Sequence, residues 1–232
     1  MAVIVRIDVD RPYGREPLLR HLASRISSDV YLPKIRGLGY LRELETMLQL
    51  LNERKVPAFV FFRRCTLPTE QVLETMRAGR HSVALHLEDS RCYETFLAEK
   101  ALLEQHTKRP VRAMSKHGSG REKYGRRHHA PYEPEKYVQW AWRSGMNLVL
   151  GNEENPTTAS TQPQPGVVFY PAAFWLEPHW RDCTTFSVDW LIDRARRHDV
   201  VLLVHPENVL ADRALLDDFL RIVESCEAMV PA

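Results

Sequence analysis

The feature that most constrains the fold of this chain is a regular alternation of short β-type segments with amphipathic helical segments. Residues 3–9 are rich in β-branched side chains, which favour a buried strand, whereas residues 39–54 repeat leucine and methionine at helical spacing. Strands that alternate with helices in this way predict a parallel sheet, open or closed. The further predicted strands are 56–62, 82–87, 111–115, 147–150, 167–170 and 200–204. The further predicted helices are 68–78, 93–105, 134–143, 187–197 and 210–228.

Two segments between these elements carry no clear periodicity. Residues 118–134 are polar and rich in His, Arg, Gly and Tyr, and residues 155–166 are rich in Pro, Thr and Gln. Both are predicted to be loops, and the second is a long loop rather than a linker because α/β elements continue on both sides of it. The chain of 232 residues is therefore predicted to be a single domain over residues 1–232.

The composition gives no sign of nucleic acid or membrane as a partner. A formal net charge of +2 is too balanced to favour either. No window approaches the roughly 20 apolar residues of a membrane span, and the apolar N-terminal run is too short for a signal-peptide core. The four cysteines are scattered without a C-x-x-C pair, which favours reduced thiols. We therefore expect a cytoplasmic protein.

Polar side chains follow the ends of four predicted strands. They are Asp8, Asp10, His86, His117 and His205. In parallel α/β folds, functional groups collect just beyond the carboxyl ends of strands, so these five residues are expected to share one site. Carboxylates and imidazoles serve as metal ligands and as proton carriers, which indicates a metal-dependent catalytic site.

Asp8 and Asp10 alternate along an extended segment, so both carboxylates can point to the same side of the sheet. One can then bind a metal ion while the other takes a proton from water. The alternative for the two aspartates is a structural role in a strand-end turn capped by Asp. A single histidine at the end of a strand is likewise more often structural than catalytic. Two such histidines, His86 and His205, together with two carboxylates favour the catalytic interpretation.

Four segments of the chain resemble the NodB-type polysaccharide deacetylases. The sequence VRIDVD at 5–10 resembles the first family motif in its D-x-D form, and VPAFVFF at 56–62 resembles the second strand. The sequence AGRHSVALH at 78–86 resembles the segment that ends in a metal-binding histidine, and LVHP at 203–206 resembles the final L-H motif. These segments follow the family's order over most of the chain. The resemblance implies an α/β fold of the irregular (β/α)7-type barrel class.

The resemblance also implies roles for individual residues. Asp8 corresponds to the general base, Asp10 and His86 correspond to metal ligands, and His205 corresponds to the general acid. In the family, a divalent metal polarises an acetamido carbonyl and activates water, and the acid protonates the departing amine. The implied activity is metal-dependent hydrolysis of an N-acyl amide, expected to be N-acetyl, on a sugar or sugar precursor in glycan biosynthesis.

The chain departs from the family at the next metal ligand. The family supplies a further histidine a few residues after the first, often four later, whereas residues 87–91 contain none. His81 lies on the opposite strand face from His86 and matches a family position outside the metal site. His117 is our first substitute, because it follows a strand and nearby glycines permit close approach. The alternative for His117 is a loop residue without a ligand role, and the fallback ligands are Glu88, Asp89, His128 and His129.

Ligation by aspartate and histidine suits zinc, which is the expected cofactor, and also cobalt, nickel or iron.

The loop residues Arg127, His128 and Tyr132 combine cationic groups with an aromatic ring, and we predict that they contact a sugar, phosphate or carboxylate of the substrate. Plain solvent exposure is the alternative for this loop. Four aromatic residues also offer faces for a sugar ring, although core packing is the more common role of tryptophan: Phe174, Trp175, Trp180 and Trp190.

The expected location predicts a small-molecule or lipid-linked sugar substrate rather than finished cell wall. A second enzymatic interpretation keeps the metal and the fold but replaces the sugar by a small non-sugar amide. A non-catalytic interpretation is a degenerate deacetylase-like domain that binds a glycan or a protein partner. The joint presence of Asp8, Asp10 and His205 favours an enzyme, and the sequence contains no G-x-S-x-G motif of a serine hydrolase.

Overall fold

In the computed structural model of the chain, residues 2–10, 17–30, 40–120 and 127–230 are described. The strands are β1 (Val3–Val9), β2 (Phe59–Phe62), β3 (Ser82–Leu87), β4 (Ala113–Lys116), β5 (Leu148–Glu153), β6 (Thr161–Gln164), β7 (Val167–Ala172), β8 (Phe174–Trp175) and β9 (Val200–Val204). The helices are α1 (Leu18–Val30), α2 (Leu41–Glu53), α3 (Glu70–Ala78), α4 (Tyr93–Thr107), α5 (Pro134–Arg143), α6 (Val188–Ala195), α7 (Pro206–Ala211) and α8 (Arg213–Ser225). Residue 39 of the first predicted helix, residues 121–126 of the polar loop and the two ends of the predicted domain lie outside the described residues.

The nine described strands form one curled sheet with the order β6-β7-β5-β4-β3-β2-β1-β9-β8. Neighbouring strands are parallel throughout, except that β6 runs antiparallel to β7. Helices connect most of the successive parallel strands, as in a β/α barrel. The prediction of an α/β fold with an irregular barrel is therefore confirmed.

The central strand β1 serves both the hydrophobic core and the cavity at its end. Its odd-numbered residues belong to the core shared with the helices and are Val3, Val5, Ile7 and Val9. Side chains alternate along a strand, so the even-numbered residues face the inner side of the curled sheet. Ile4 belongs to a second, inner apolar cluster, and Arg6 and Asp8 follow it toward the cavity.

Most predicted elements are confirmed to within a few residues, and β1, β3, α5 and β9 have the predicted bounds. The helix α2 has the amphipathic character that its sequence predicts. Its buried face carries Leu41, Leu44, Leu48 and Leu51, the residues whose spacing indicated an amphipathic helix. Within the described residues, no helix has both the length and the apolar character needed to cross a membrane.

Two structural predictions were wrong. The segment 155–166 is not a loop throughout, because it contains the edge strand β6, whose mostly exposed side chains leave no apolar pattern in the sequence. The single helix predicted at 210–228 is two helices, α7 and α8. They separate at Asp212, whose carboxylate accepts hydrogen bonds from the N–H groups of Ala214 and Leu215 and so caps α8. The elements α1 and β8 were not predicted.

Candidate metal centre

The carboxyl ends of four parallel strands bring the predicted polar residues into one cavity of about 210 Å³. The five residues that the sequence singled out all line it and are all buried: Asp8, Asp10, His86, His117 and His205. The register of the sheet accounts for this meeting, because β1 pairs with both β2 and β9, and β3 pairs with β2 and β4. Residues that lie far apart in the sequence therefore end at the same edge of the sheet.

Asp10, His86 and His117 place three ligand atoms within 4.8 Å of one another. The Nδ1 atom of His117 lies 3.2 Å from Nε2 of His86 and 3.4 Å from Oδ1 of Asp10. Ligand atoms about 2.0–2.1 Å from an ion in a tetrahedral site are roughly 3.4 Å apart, so these distances suit one shared divalent ion.

Both histidines of this set are held in the neutral form that a metal ion requires. Burial lowers the pKa of His86 and of His117 well below the usual value. The Nδ1 atom of His86 lies 2.7 Å from the hydroxyl of Ser115, which orients the ring and leaves Nε2 for a ligand. The donor set therefore fits a divalent metal that accepts nitrogen and oxygen ligands.

The substitution His117→Ala is expected to weaken zinc binding by at least about tenfold, because it removes one of three protein ligands. Competition with a chromophoric chelator measures the affinity. His198→Ala is the matched control, because that residue is exposed and is not among the described cavity-lining residues. Full affinity in the His117 variant would show that the third ligand lies elsewhere.

Arg6 holds the carboxylate of Asp8 with two hydrogen bonds. The Nε and Nη2 atoms of Arg6 donate to the two oxygens of Asp8 at 2.9 and 2.7 Å, and Nη1 donates to the carbonyl of Gly151 at 2.8 Å. The Oδ2 atom of Asp8 also lies 3.4 Å from Nε2 of His86, so this carboxylate is fixed directly beside the ligand set. The contact between Arg6 and Asp8 could have been predicted from the sequence, because residues two apart along a strand have their side chains on the same face.

His205 has a carboxylate partner that the sequence did not reveal. The Nδ1 atom of His205 lies 2.8 Å from Oε1 of Glu177, which also accepts from the backbone N–H of His205 and from the side-chain amide of Asn208. Burial disfavours the charged imidazole, but the charge of Glu177 and its hydrogen bond outweigh this and raise the pKa of His205 to about 10. The Nε2 atom lies 3.8 Å from Oδ2 of Asp10, so the proton of this ring is presented to the cavity.

The three predicted substrate-binding residues are not among the described lining residues of the cavity. The ring of His128 is buried, and its Nε2 atom lies 2.8 Å from the carbonyl of His117. The hydroxyl of Tyr132 accepts the N–H of Asn152 at 3.0 Å, and Arg127 is exposed. Substrate contact by Arg127, His128 and Tyr132 stays a prediction.

Six further lining residues were not assigned to a site by the motifs: Arg6, Arg63, Lys116, Gly118, Ser119 and Asn152. Lys116 immediately precedes His117 in the sequence, and burial lowers the pKa of its amine to about 7. The side-chain amide of Asn152 donates to the carbonyl of Lys116 at 2.6 Å and fixes this part of the wall. Trp175 and Trp180 complete the lining on the side of His205.

His81 lies away from the ligand set. Its Nδ1 atom accepts the N–H of Ala58 at 3.1 Å, and its Nε2 atom lies 2.8 Å from Oδ1 of Asn52. Burial lowers the pKa of His81 to about 4. The role of this residue is therefore to join β2, β3 and α2 in its neutral form.

The low pKa of His81 predicts a loss of stability in acid. The folded-state pKa is depressed from 6.5, so the stabilisation is present above about pH 6.5 and is lost as the pH falls toward 4. We expect the free energy of unfolding of the wild type to fall over this range relative to that of His81→Gln. Denaturant titrations at a series of pH values measure the difference. If the free energy of unfolding depends on pH in the same way in both proteins, the pKa of His81 is not lowered in the folded state.

Comparison with known proteins finds similarity at the level of structure and none at the level of sequence. A scan against models of known protein families and a sequence search of curated proteins find no match. Among solved structures, the chitin deacetylase of the fungal pathogen Colletotrichum lindemuthianum has a TM-score of 0.52 at 13% identity, with 98% of this chain and 84% of that chain covered. That similarity shows that the two chains share a fold, the barrel that the sequence resemblance implied.

Two further solved structures match this chain with lower TM-scores. A CE4-family pseudoenzyme from Bacillus anthracis has a TM-score of 0.46 at 13% identity over 98% of this chain. The chain spans 62% of the length of that structure. The peptidoglycan deacetylase of Bacillus subtilis, in a mutant form, has a TM-score of 0.48 at 10% identity, with 99% of this chain and 86% of that chain covered.

Proposed function

We propose that the chain is a metal-dependent hydrolase that removes an N-acyl group, expected to be acetyl, from a sugar or sugar precursor. The observation that carries this proposal is the meeting of three ligand atoms within 4.8 Å, with Asp8 and His205 lining the same cavity. Hydrolysis of an amide needs an electrophile for the carbonyl, a base for water and an acid for the departing amine. The described side chains offer a place for each of these three functions.

Asp10, His86 and His117 would hold the ion, with zinc expected. When bound, a divalent ion would polarise the acyl carbonyl and lower the pKa of water. Asp10 contributes the negative charge of this ligand set, and the two buried histidines contribute neutral nitrogen donors. The same donor chemistry suits cobalt, nickel or iron.

Asp8 would act as the general base and His205 as the general acid. The two hydrogen bonds from Arg6 fix the orientation of Asp8, while further lone pairs of its oxygens remain available for a proton. His205 carries its proton at neutral pH because Glu177 raises its pKa to about 10. Since Glu177 holds Nδ1, the proton on Nε2 is the one available to the departing amine.

The dimensions and lining of the cavity favour a single acylated sugar unit. A volume of about 210 Å³ is below the roughly 300–1,000 Å³ of typical ligand pockets. Trp175 and Trp180 line the cavity with aromatic rings, and Asn152 and Ser119 contribute polar groups to the lining. A small-molecule or lipid-linked sugar precursor in glycan biosynthesis is the substrate that suits these features and a cytoplasmic location.

Release of acetate tests this activity directly. The zinc-loaded protein is incubated with N-acetylated sugar nucleotides and with N-acetylglucosamine oligomers, and acetate and free amine are quantified together. We expect the two products in equal amounts, their loss after removal of the metal and their return after reconstitution. If the metal-loaded chain releases no acetate from any of these compounds, the proposed activity is wrong.

A further inference from the structure

A buried arginine lies directly behind the metal ligand Asp10. Arg63 follows β2 and is 2% exposed. Its Nη1 atom donates to Oδ1 of Asp10 at 3.1 Å, and its Nε atom donates to Oε1 of Glu88 at 3.0 Å. The Nη2 atom contacts the same oxygen of Glu88. The guanidinium therefore bridges two carboxylates that follow β1 and β3.

The backbone around this bridge is also tied to the ligand. The N–H of Arg63 donates to the hydroxyl of Thr66 at 3.1 Å, and that hydroxyl donates to the carbonyl of Val9 at 2.7 Å. Val9 immediately precedes Asp10. The position of the Asp10 carboxylate is thus set by Arg63 through its side chain and by Thr66 through the main chain.

Hydrogen bonds from its backbone also hold Glu88 in place. Its N–H donates to Oε2 of Glu99 at 3.0 Å, and its carbonyl accepts the N–H of His129 at 3.1 Å. Glu88 is 4% exposed, so its charge and that of Arg63 are both removed from water. Buried charges persist at acceptable cost only when they are paired and hydrogen-bonded. The two contacts from Arg63 to Oε1 of Glu88 meet that requirement.

The charges of these residues bear on metal binding. Arg63 is a cation in contact with a carboxylate that would bind a divalent cation, and two like charges so close together would repel each other. The carboxylate of Glu88 cancels the charge of Arg63 without taking its hydrogen bond away from Asp10. Glu88 was a fallback metal ligand by sequence, but this contact commits Oε1 to the guanidinium.

We propose that Arg63 and Glu88 are positioning residues of the metal site: Arg63 orients Asp10 toward the ion, and Glu88 neutralises Arg63 so that the ion can bind. This inference rests on the proposed function, because it presupposes that Asp10 is a metal ligand. It assigns to Glu88 an effect on metal affinity that acts only through Arg63.

The variant Glu88→Gln tests the inference because it keeps the shape of the side chain and removes its charge. We expect zinc affinity, measured by chelator competition, to fall by about 10–100-fold, the range observed when an outer partner of a metal ligand is lost. Glu104→Gln is the matched control, since Glu104 pairs with Lys100 at 2.6 Å on α4 and is not a described lining residue of the cavity. The control is expected to keep the wild-type affinity.

The double variant Arg63→Met with Glu88→Gln removes both charges and is therefore the variant best able to fold. We expect its zinc affinity to lie below that of the wild type, because Asp10 has lost its hydrogen bond from Arg63, and above that of the Glu88→Gln variant, because no uncompensated cation remains beside the ion. Wild-type affinity in Glu88→Gln would overturn the inference. A double variant that binds as weakly as the single one would also overturn it, because charge compensation would then not be the role of Glu88. A wild-type chain that binds no zinc would instead overturn the proposed function.

Discussion

Replacement of Asp10 by alanine is expected to abolish zinc binding by the purified chain. Asp10 supplies the negative charge of the three-residue ligand set, and the two buried histidines that remain are neutral. The loss should exceed the roughly 10–100-fold that removal of an outer partner costs, because a ligand itself is removed. Arg63 keeps both of its contacts with Oε1 of Glu88 in this variant, so the chain is expected to fold.

Metal stoichiometry and affinity in Asp10→Ala are measured beside a control with an exposed carboxylate. Asp217→Ala suits this purpose, because Asp217 pairs with Arg213 at 3.0 Å on the surface of α8. The control should bind zinc like the wild type. An unchanged stoichiometry in Asp10→Ala would show that the ion is held by other residues, and the site as described would be wrong.

Replacement of Asp8 by asparagine is expected to leave metal binding in place and to lower turnover by about 10²–10⁴-fold, the usual contribution of a general base. Asparagine has the shape of aspartate but cannot accept the proton. Arg6 retains its hydrogen bond to the carbonyl of Gly151 at 2.8 Å, so the wall of the cavity is expected to persist. The effect should appear in kcat rather than in metal content.

The control for Asp8→Asn is its own metal content, determined on the same sample as the kinetics. If the variant binds a full complement of metal but has lost its turnover, Asp8 acts as a base and not as a metal ligand. Turnover within about threefold of the wild type would contradict the assignment of Asp8 as the base, and loss of the metal would move Asp8 into the ligand set.

The sequence predicted the parts of the site that depend on strand position. The bounds of β1, β3 and β9 were predicted correctly, and these strands deliver Asp10, His86 and His205. Parallel strands end at a common edge, so polar residues at those ends could be placed together without coordinates. His117 was chosen as a ligand by the same reasoning, and its ring meets that of His86 at a centroid distance of 5.0 Å.

The partners of these residues could not be predicted. Glu177 lies 28 residues before His205, and Arg63 lies 53 residues after Asp10, with no motif that links either pair. Such contacts depend on how strands and loops meet in three dimensions. The composition of the polar loop likewise did not reveal that His128 and Tyr132 place polar atoms beside the backbone of His117 and Asn152.

Short or exposed elements escaped prediction for a related reason. The edge strand β6 buries little of its surface, and β8 contains only two residues, so neither produces a hydrophobic period. The helix α1 exposes Leu18, Leu19, Leu22 and Ile26, and its apolar face is therefore not explained by contacts within the described residues.

The metal site is tested most simply by the metal content of the purified wild-type chain, determined by elemental analysis after exhaustive dialysis. The geometry of Asp10, His86 and His117 predicts about one zinc-like ion per chain, or full recovery of one ion on titration with zinc or cobalt. A chain that holds no metal and takes up neither ion would show that Asp10, His86 and His117 do not form a metal site. It would then be better explained as a binding domain that has the barrel of a deacetylase without its chemistry.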